Sequence, residues 1–556
     1  MTMKLNAEQQ AAVDFVMAED SGNLVVKALA GTGKTTLLCA IASVLEGSVY
    51  ICAFGKGAAD NIKSRLRVLM PTEDLDSRSP RIKISTTNSL GMSTWMRANP
   101  GSKVQLVEEK VRLLAQDQAQ RQPLAAKYPG FICQLVSYAK RSGFGVLCNM
   151  DKYSHWIELA RYYNLTDTLP GDDDVPELVN IAMGIYKVSL DRCRRTIDFD
   201  DQILAPMYYE ARFQRYRTVL LDEAQDTSPM RLEMVMQLLT SDGRFIAVGD
   251  ENQSIMGFTG AHNNAMGEII KMTNAEVLPL NTTFRVPKSG VRLAQEQVPQ
   301  FAANESNIEG NVLHANMSDF PRKGQELTVE TLMATLREVE SERPTVWGFT
   351  PFTKDDAILC RNTRPLVELA YQMIRRRIPC RVEGRNIGQG LISLARRWSV
   401  HSLYDLDDRV YEYKRRESGK LMGQFKEAEA QKVIDQCDTL TCLIRGCMED
   451  GKTSVYELCQ FITSIFGDTP EGQEPPHCTL TTVHKAKGKE WRRVFVLGLY
   501  DLMPSPFAKQ PWELKQEQNL IYVAKTRHKE TLVIVHMPQE KEQRNGTTTA
   551  ETQPLN

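Results

Sequence analysis

Apolar residues near the start of the chain come in short compact runs that alternate with stretches of helical period. Asn6 to Met17 carries an apolar stripe and predicts a short helix. Asn23-Leu-Val-Val-Lys-Ala28 is a compact apolar run that ends in a glycine-rich turn, and Thr35 to Leu45 returns to helical period. Ser48-Val-Tyr-Ile-Cys-Ala-Phe54 and Arg81-Ile-Lys-Ile-Ser85 predict two further strands. Strands that alternate with helices predict a parallel sheet covered on both faces. From Met92 to Arg195 the pattern changes to mainly helical, with amphipathic stretches at Val107–Leu114 and Ala126–Ala139. Strand signals resume at Thr218–Asp222 and Arg244–Asp250, so the helical block reads as an insertion into the first sheet domain.

The scheme then repeats. A second strand–helix series starts near Asn281 and includes Pro344–Phe349, Asp356–Cys360 and a helix from Arg364 to Arg376. A charged, mainly helical block follows from Asn386 to Gly467, then a loop rich in Pro and Gly from Asp468 to Pro476. Strands resume at Thr479–Val483 and Arg493–Leu497, and a polar, Thr-rich tail from Gln539 predicts disorder. The predicted fold class is α/β, with two parallel-sheet domains that each carry a mainly helical insertion. Their expected bounds are 1–91 with 196–280, insertion 92–195, then 281–385 with 476–538, insertion 386–475, and tail 539–556.

Composition adds little against this plan. The 556 residues are 42% hydrophobic and 25% charged, enough to bury large cores without disulfides. A net charge of −1 leaves any nucleic-acid surface to local clustering. The twelve cysteines include no Cys-x-x-Cys, and Cys437, Cys442 and Cys447 share no helix face, so zinc is not predicted. Unpaired thiols, an N-terminus without the apolar core of a signal peptide, and the absence of long apolar runs predict a cytoplasmic protein with no membrane partner.

Candidate chemistry sits at the ends of predicted strands. In Ala28-Leu-Ala-Gly-Thr-Gly-Lys-Thr-Thr36, Gly31 and Gly33 let the backbone wrap so that its amides face phosphate oxygens. Lys34 is placed to reach the β- and γ-phosphates, and Thr35 to ligate Mg²⁺. Asp222 and Glu223 follow an apolar strand; a carboxylate there suits Mg²⁺, and its neighbour suits a water-activating base, although paired acids also cap helices. Gln253, in Gly249-Asp-Glu-Asn-Gln-Ser-Ile255, is a candidate for the γ-phosphate, in a pattern that also makes an ordinary turn. Arg285 and Arg527 are candidates to meet charge developing on phosphate; taken singly, each better suits a surface ion pair, as most arginines are solvated.

Taken in order, these segments resemble a superfamily 1 helicase of the UvrD/Rep/PcrA type. The resemblance rests on Leu5-Asn-Ala-Glu-Gln9, the phosphate loop, Phe54-Gly-Lys-Gly-Ala-Ala59 and Ser85-Thr-Thr-Asn-Ser-Leu90. It continues through Asp198-Phe-Asp-Asp-Gln202, Asp222-Glu-Ala-Gln-Asp226, Gly249–Ile255, Thr283-Phe-Arg285, Thr482–Glu490 and Tyr522-Val-Ala-Lys-Thr-Arg527. It implies two RecA-like motor domains that share one ATP between them. By that likeness Gln9 contacts adenine, Phe284 stacks on it, and Glu490 approaches the ribose. The loop residues Ala30, Gly31, Thr32, Gly33, Lys34, Thr35 and Thr36 hold the phosphates. Asp222, Glu223 and Gln253 complete the hydrolytic site, and Arg285 and Arg527 arrive from the second motor domain. Phe54, Thr86, Asn88, Phe258 and His484 match positions that line a single-strand groove, where aromatics stack on bases without sequence preference.

The same likeness gives the insertions at Met92–Arg195 and Asn386–Pro475 a role on duplex or phosphate backbone, through Arg192/Arg194/Arg195 and Lys414/Arg415/Arg416. A solvated helix face is the plainer reading of each cluster. Departures fall on the DNA side: Met256 and Thr259 stand for an aromatic and an arginine, Asn88 for a common histidine, and Gly57 for a lysine. The expectation is a DNA-stimulated ATPase that moves 3′ to 5′ on single-stranded DNA and opens junctions, in repair or replication, in a bacterial or phage-infected cell. The rivals are a translocase subunit that remodels complexes or activates a partner nuclease, and a nucleotide-gated binding module too slow to be a motor.

Overall fold

The computed structural model describes residues 4–18, 21–77, 79–166, 169, 173–257, 264–317, 352–375, 378–423, 427–466, 477–506 and 508–538. The expected strand Pro344–Phe349, the loop Asp468–Pro476, the tail from Gln539, and Phe258 and Thr259 lie outside them.

Among the described residues, two six-stranded sheets organise the chain. The first holds β1 (Leu24–Ala28), β2 (Val49–Ala53), β3 (Ile82–Thr86), β4 (Tyr216–Leu221), β5 (Leu239–Gly249) and β6 (Glu276–Leu280), in the order β3-β2-β4-β5-β1-β6. The second holds β7 (Asn311–Asn316), β8 (Asp356–Cys360), β9 (Cys380–Val382), β10 (Cys478–Thr482), β11 (Trp491–Leu497) and β12 (His528–His536), in the order β7-β12-β11-β8-β10-β9. Every pairing in both sheets is parallel. Parallel strands need helices on both faces, so they read as near-continuous apolar runs, as β2 does with all five residues buried. Alternation still sorts the faces. Val25 joins one core, while Leu24 and Val26 join the core on the other side. Both domains have this RecA-like α/β build.

The first helical insertion shares a core with the sheet it interrupts. Val25, Cys52, Val219 and Phe245 belong to the same buried cluster as Leu135, Trp156 and Tyr186. A buried ionic knot ties the two parts together. Lys140 lies 2.6 Å from both Asp198 and Asp201, and Lys110 lies 2.6 Å from Asp201. Burial alone would push Asp201 up, but the two ammonium groups outweigh it and hold its carboxyl below the usual range.

Two amphipathic stretches fold differently from their pattern. The helix expected from Val107 starts at Lys110, because Gln105–Leu106 pair with Thr196–Ile197 and the Val107 amide donates to the Ile197 carbonyl at 2.8 Å. This short ladder closes the neck of the insertion. The stretch Ala126–Ala139 is two helices, Pro123–Lys127 and Pro129–Arg141. Pro129 has no N–H to continue the first helix, yet its fixed φ suits the first position of the next.

Lys140→Met should strand two buried carboxylates with one cation and destabilise the protein by about 3–5 kcal/mol, whereas Arg121→Ala on an exposed pair should change stability by under about 0.5 kcal/mol. Urea denaturation of both variants is the check, and equal midpoints would disprove the anchoring role.

Candidate functional site

The strand order assembles the site. β4, β5 and β1 are neighbours, so their carboxyl ends bring together segments that are far apart in sequence: Asp222–Glu223, Asp250–Gln253 and the loop after Ala28. Open parallel sheets bind ligands at such ends. Gly31 and Gly33 have φ of 72° and 84°, which only glycine adopts freely. A Cβ on Gly31 would lie 2.5 Å from Thr283 Oγ1 and 2.8 Å from Arg285 Cβ, so the loop is packed against a segment that leads into the second domain. Gly33 begins the helix Lys34–Val44 without any side-chain cap, which leaves its first-turn amides for an anion.

Each expected loop residue has a definite neighbour. Gln9 caps its own helix through Asn6 and donates Nε2 to the Thr32 carbonyl at 3.0 Å. Thr32 Oγ1 donates to the Leu29 carbonyl, and Thr36 Oγ1 accepts from Arg65 at 3.1 Å. The Ala30 amide donates to the hydroxyl of Tyr522 at 3.1 Å, so that amide is already committed. Lys34 and Thr35 are half-buried, and the Lys34 ammonium acts on Asp222 and Glu223.

Opposite the loop stand the acids. Burial pushes the Asp222 carboxyl up to about 7, and the charge of Glu223 adds to the rise. Burial also acts on Glu223, but Lys34, Lys487, a hydrogen bond from Gln225 and Arg527 outweigh it and keep it below the ordinary value. Glu223 therefore stays ionised, while Asp222 is a buried carboxyl short of a cation. That chemistry fits Mg²⁺ at Asp222, with Thr35 as its hydroxyl partner.

The second domain closes the cleft. The helix Pro511–Lys525 delivers Tyr522, and Arg527 follows it. Arg527 is 1% exposed; it donates to the Val523 carbonyl at 2.9 Å and to Gln253 Oε1 at 3.4 Å. Burial lowers its guanidinium to about 9, still charged at neutral pH. Gln253 donates in turn to Asp250 at 2.5 Å. Lys487 reaches across to Asp226 at 2.5 Å and to the Gln253 carbonyl at 2.6 Å. Arg285 donates to Glu490 at 3.1 Å and to the Thr526 carbonyl at 3.0 Å, while its Nε is buried without a partner beside Gly31. Glu490 is held by Arg285 and by Lys529 at 2.7 Å. Phe284 is exposed, and its amide donates to the Gly31 carbonyl at 2.9 Å.

Of the expected strand-binding residues, Phe54, Thr86, Asn88 and His484 are described and lie at or just after the ends of β2, β3 and β10. Phe54 follows β2 and is exposed, with the Arg231 guanidinium 6.0 Å above its ring. Thr86 caps the helix Thr87–Ala98. Asn88 is committed within the protein: it donates to the Phe199 carbonyl at 2.8 Å and to Gln202 at 3.0 Å, and accepts from Arg231 at 3.3 Å. His484 is neutral, because burial and the neighbouring Arg361 lower it to about 4.

Four residues given no role from sequence stand out here: Phe199, Arg231, Lys487 and Tyr522. Phe199 is 48% exposed because its neighbours turn inward, Asp198 to Lys140 and Asp200 to Ser137 and Arg141. The Asp-Phe-Asp-Asp pattern is the signal that carried this, an aromatic left between anchored acids.

Two family descriptions match the chain: the UvrD/REP helicase N-terminal domain over residues 5–274, and the UvrD-like helicase C-terminal domain over residues 400–539. The protein belongs to the UvrD/Rep helicase family. Among its relatives, DNA helicase II of Haemophilus influenzae is 22% identical over 95% of this chain and 83% of its own length. ATP-dependent DNA helicase UvrD2 of Mycobacterium tuberculosis is 26% identical over 91% of this chain and 75% of its own. ATP-dependent DNA helicase Rep of Escherichia coli is 28% identical over 69% of this chain and 55% of its own, so the match spans little more than half of Rep. No helix among the described residues is long and apolar enough to cross a membrane.

Tyr522→Phe in this helicase-family cleft should leave the buried Ala30 amide unpaired. The expected loss is about 1–3 kcal/mol, roughly five- to 150-fold in nucleotide affinity. Titration with a fluorescent ATP analogue reads it directly; unchanged affinity would show that the Ala30 contact does not hold the cleft.

Proposed function

We propose that the protein is an ATP-dependent DNA helicase that hydrolyses ATP between its two sheet domains and steps along single-stranded DNA. The observation that carries this reading is the split site: Arg527 from the second domain bonds to Gln253 of the first, beside Glu223 and the uncapped helix at Gly33.

In this reading the amides after Gly31 and the Lys34 ammonium bind the phosphates. The orphaned Arg285 Nε and the Arg527 guanidinium meet the charge that develops on the transferred phosphoryl group. Glu223, ionised at neutral pH, orients the attacking water and accepts its proton. Asp222 and Thr35 hold Mg²⁺, which when bound neutralises phosphate charge. Gln9 and Phe284 flank the base, and Glu490 approaches the ribose once Arg285 turns to phosphate. Closing and opening of the cleft then moves the two domains relative to each other, with Gln253 and Lys487 linking phosphate to the domain interface.

Phe54, Thr86, His484 and Phe258 form the strand path by family likeness. Phe199 joins them as a stacking surface, with Asn88 and Arg231 as the groups that position it. The proposed motor domains are 1–91 with 196–280 and 281–385 with 476–538. The direction carried over from the family is 3′ to 5′, on single strands and single/double-strand junctions. The setting is the cytoplasm of a bacterial or phage-infected cell, in company with repair or replication factors.

Steady-state ATPase titrated with single-stranded DNA, duplex DNA and RNA, followed by unwinding of substrates with 3′ or 5′ overhangs, tests the reading. Stimulation by single-stranded DNA and opening from a 3′ overhang are expected. ATP turnover without strand separation would favour the partner-dependent translocase, and no DNA stimulation would reject both. Arg527→Ala should lower kcat by about 10³-fold or more, and chelation of Mg²⁺ should abolish turnover. Phe199→Ala should weaken binding to single-stranded DNA by about 1–3 kcal/mol while basal ATPase stays within about twofold; intact affinity would remove Phe199 from the path.

A further inference from the structure

The helix Pro511–Lys525 does more than carry the cleft residues at its far end. Its 15 residues span about 22 Å at roughly 1.5 Å per residue. Tyr522 and the following Arg527 stand at the nucleotide end. The opposite end meets the first helical insertion, at the last turn of the helix Tyr153–Tyr162.

That second contact is built from both partners. Trp512 Nε1 donates to the Tyr162 carbonyl at 3.2 Å. The Trp512 and Tyr162 rings are nearly parallel, 15° apart with centroids separated by 6.1 Å, and Tyr163 meets Trp512 edge-on at 6.0 Å. Tyr163 itself stacks on Tyr138 at 3.7 Å, which ties the contact to the insertion's own core helix. Asn164 completes it in both directions: its amide donates to Glu513 at 3.1 Å, and its carbonyl oxygen accepts from Gln510 at 2.7 Å. Glu513 and Gln510 are also the capping box of the cleft helix. Asn164 sits at φ 52°, a conformation that asparagine tolerates better than most residues. Close by, a Cβ on Gly257 would lie 3.3 Å from the Trp512 ring, so the segment after Gln253 runs along the same helix.

Resting on the helicase reading above, we infer that Trp512, Asn164 and Glu513 form a clasp that ties the second motor domain's cleft helix to the insertion, and through it to the core of the first sheet. One helix then joins the nucleotide cleft to the clasp, so opening or closing of the cleft is felt at the clasp while the insertion stays anchored on the first sheet. The clasp residues touch neither nucleotide nor reacting atoms. They are positioning residues for strand separation and leave hydrolysis alone.

The test uses the full chain with Trp512→Ala, Trp512→Phe and Asn164→Asp, the last of which sets a second carboxylate against Glu513. DNA-stimulated ATPase is expected to stay within about twofold of the parent, while base pairs opened per ATP fall about tenfold in Trp512→Ala and Asn164→Asp and largely return in Trp512→Phe. Parallel loss of ATPase and unwinding, or unwinding equal to the parent in both disruptive variants, would overturn the clasp. Amide exchange gives a readout independent of unwinding. A non-hydrolysable ATP analogue should alter exchange at residues 159–165 of the parent and leave them unaltered in Trp512→Ala. No change in the parent, or the same change in the variant, would also overturn it. Failure of the helicase reading would appear separately, as a parent without DNA stimulation or unwinding.

Discussion

Charge buried between two sheets is the constraint on which this structure depends. Arg527, Lys487 and Arg285 come from one side, and Asp222, Glu223, Asp226 and Asp250 from the other. Neither set is stable alone in a dry cleft. Burial raises Asp222, Asp226 and Asp250 and lowers Arg527, each through the loss of water around the charged form. The cross-domain pairs offset part of that loss, and in the proposed reading Mg²⁺-bound phosphate would complete the balance. Hydrolytic chemistry and domain closure therefore draw on the same electrostatic deficit. A group that fills the cleft completes the charge balance and holds the domains together at once.

The same logic recurs at the insertion. Its apolar helices merge with the first sheet's core, but Lys110, Lys140, Asp198 and Asp201 fix its angle. Buried ion pairs with several partners give direction that apolar contact lacks. One outcome is exposure of Phe199, pushed outward while its neighbours are pulled in. Another is that the carbonyl of Phe199 is available to Asn88, which links the insertion's root to the helix after β3. Asparagine at that position serves as a bracket with three protein partners.

Much of the fold was legible because parallel strands are apolar throughout and their helices are not. The runs at Leu24–Ala28, Val49–Ala53 and Asp356–Cys360 stood out for that reason. β7 and β9 did not, since Asn311–Asn316 and Cys380–Val382 are short edge strands with polar residues. The amphipathic stretch Ala126–Ala139 is helical as its pattern implied, but the missing N–H of Pro129 splits it into two helices.

By itself the sequence determined the candidates for the chemistry: glycines that permit a left-handed loop, a lysine and hydroxyls beside it, acids at strand ends, and two arginines far along the chain. Local backbone geometry and side-chain chemistry are carried by a few adjacent residues, so they can be read in one dimension. Only the tertiary structure decided that β4, β5 and β1 lie side by side, that Tyr522 occupies the Ala30 amide, that Asn88 is already satisfied, and that Trp512 reaches Tyr162. Those are contacts between residues distant in the chain, and their geometry is set by how two sheets and an insertion pack, which no short stretch of sequence encodes.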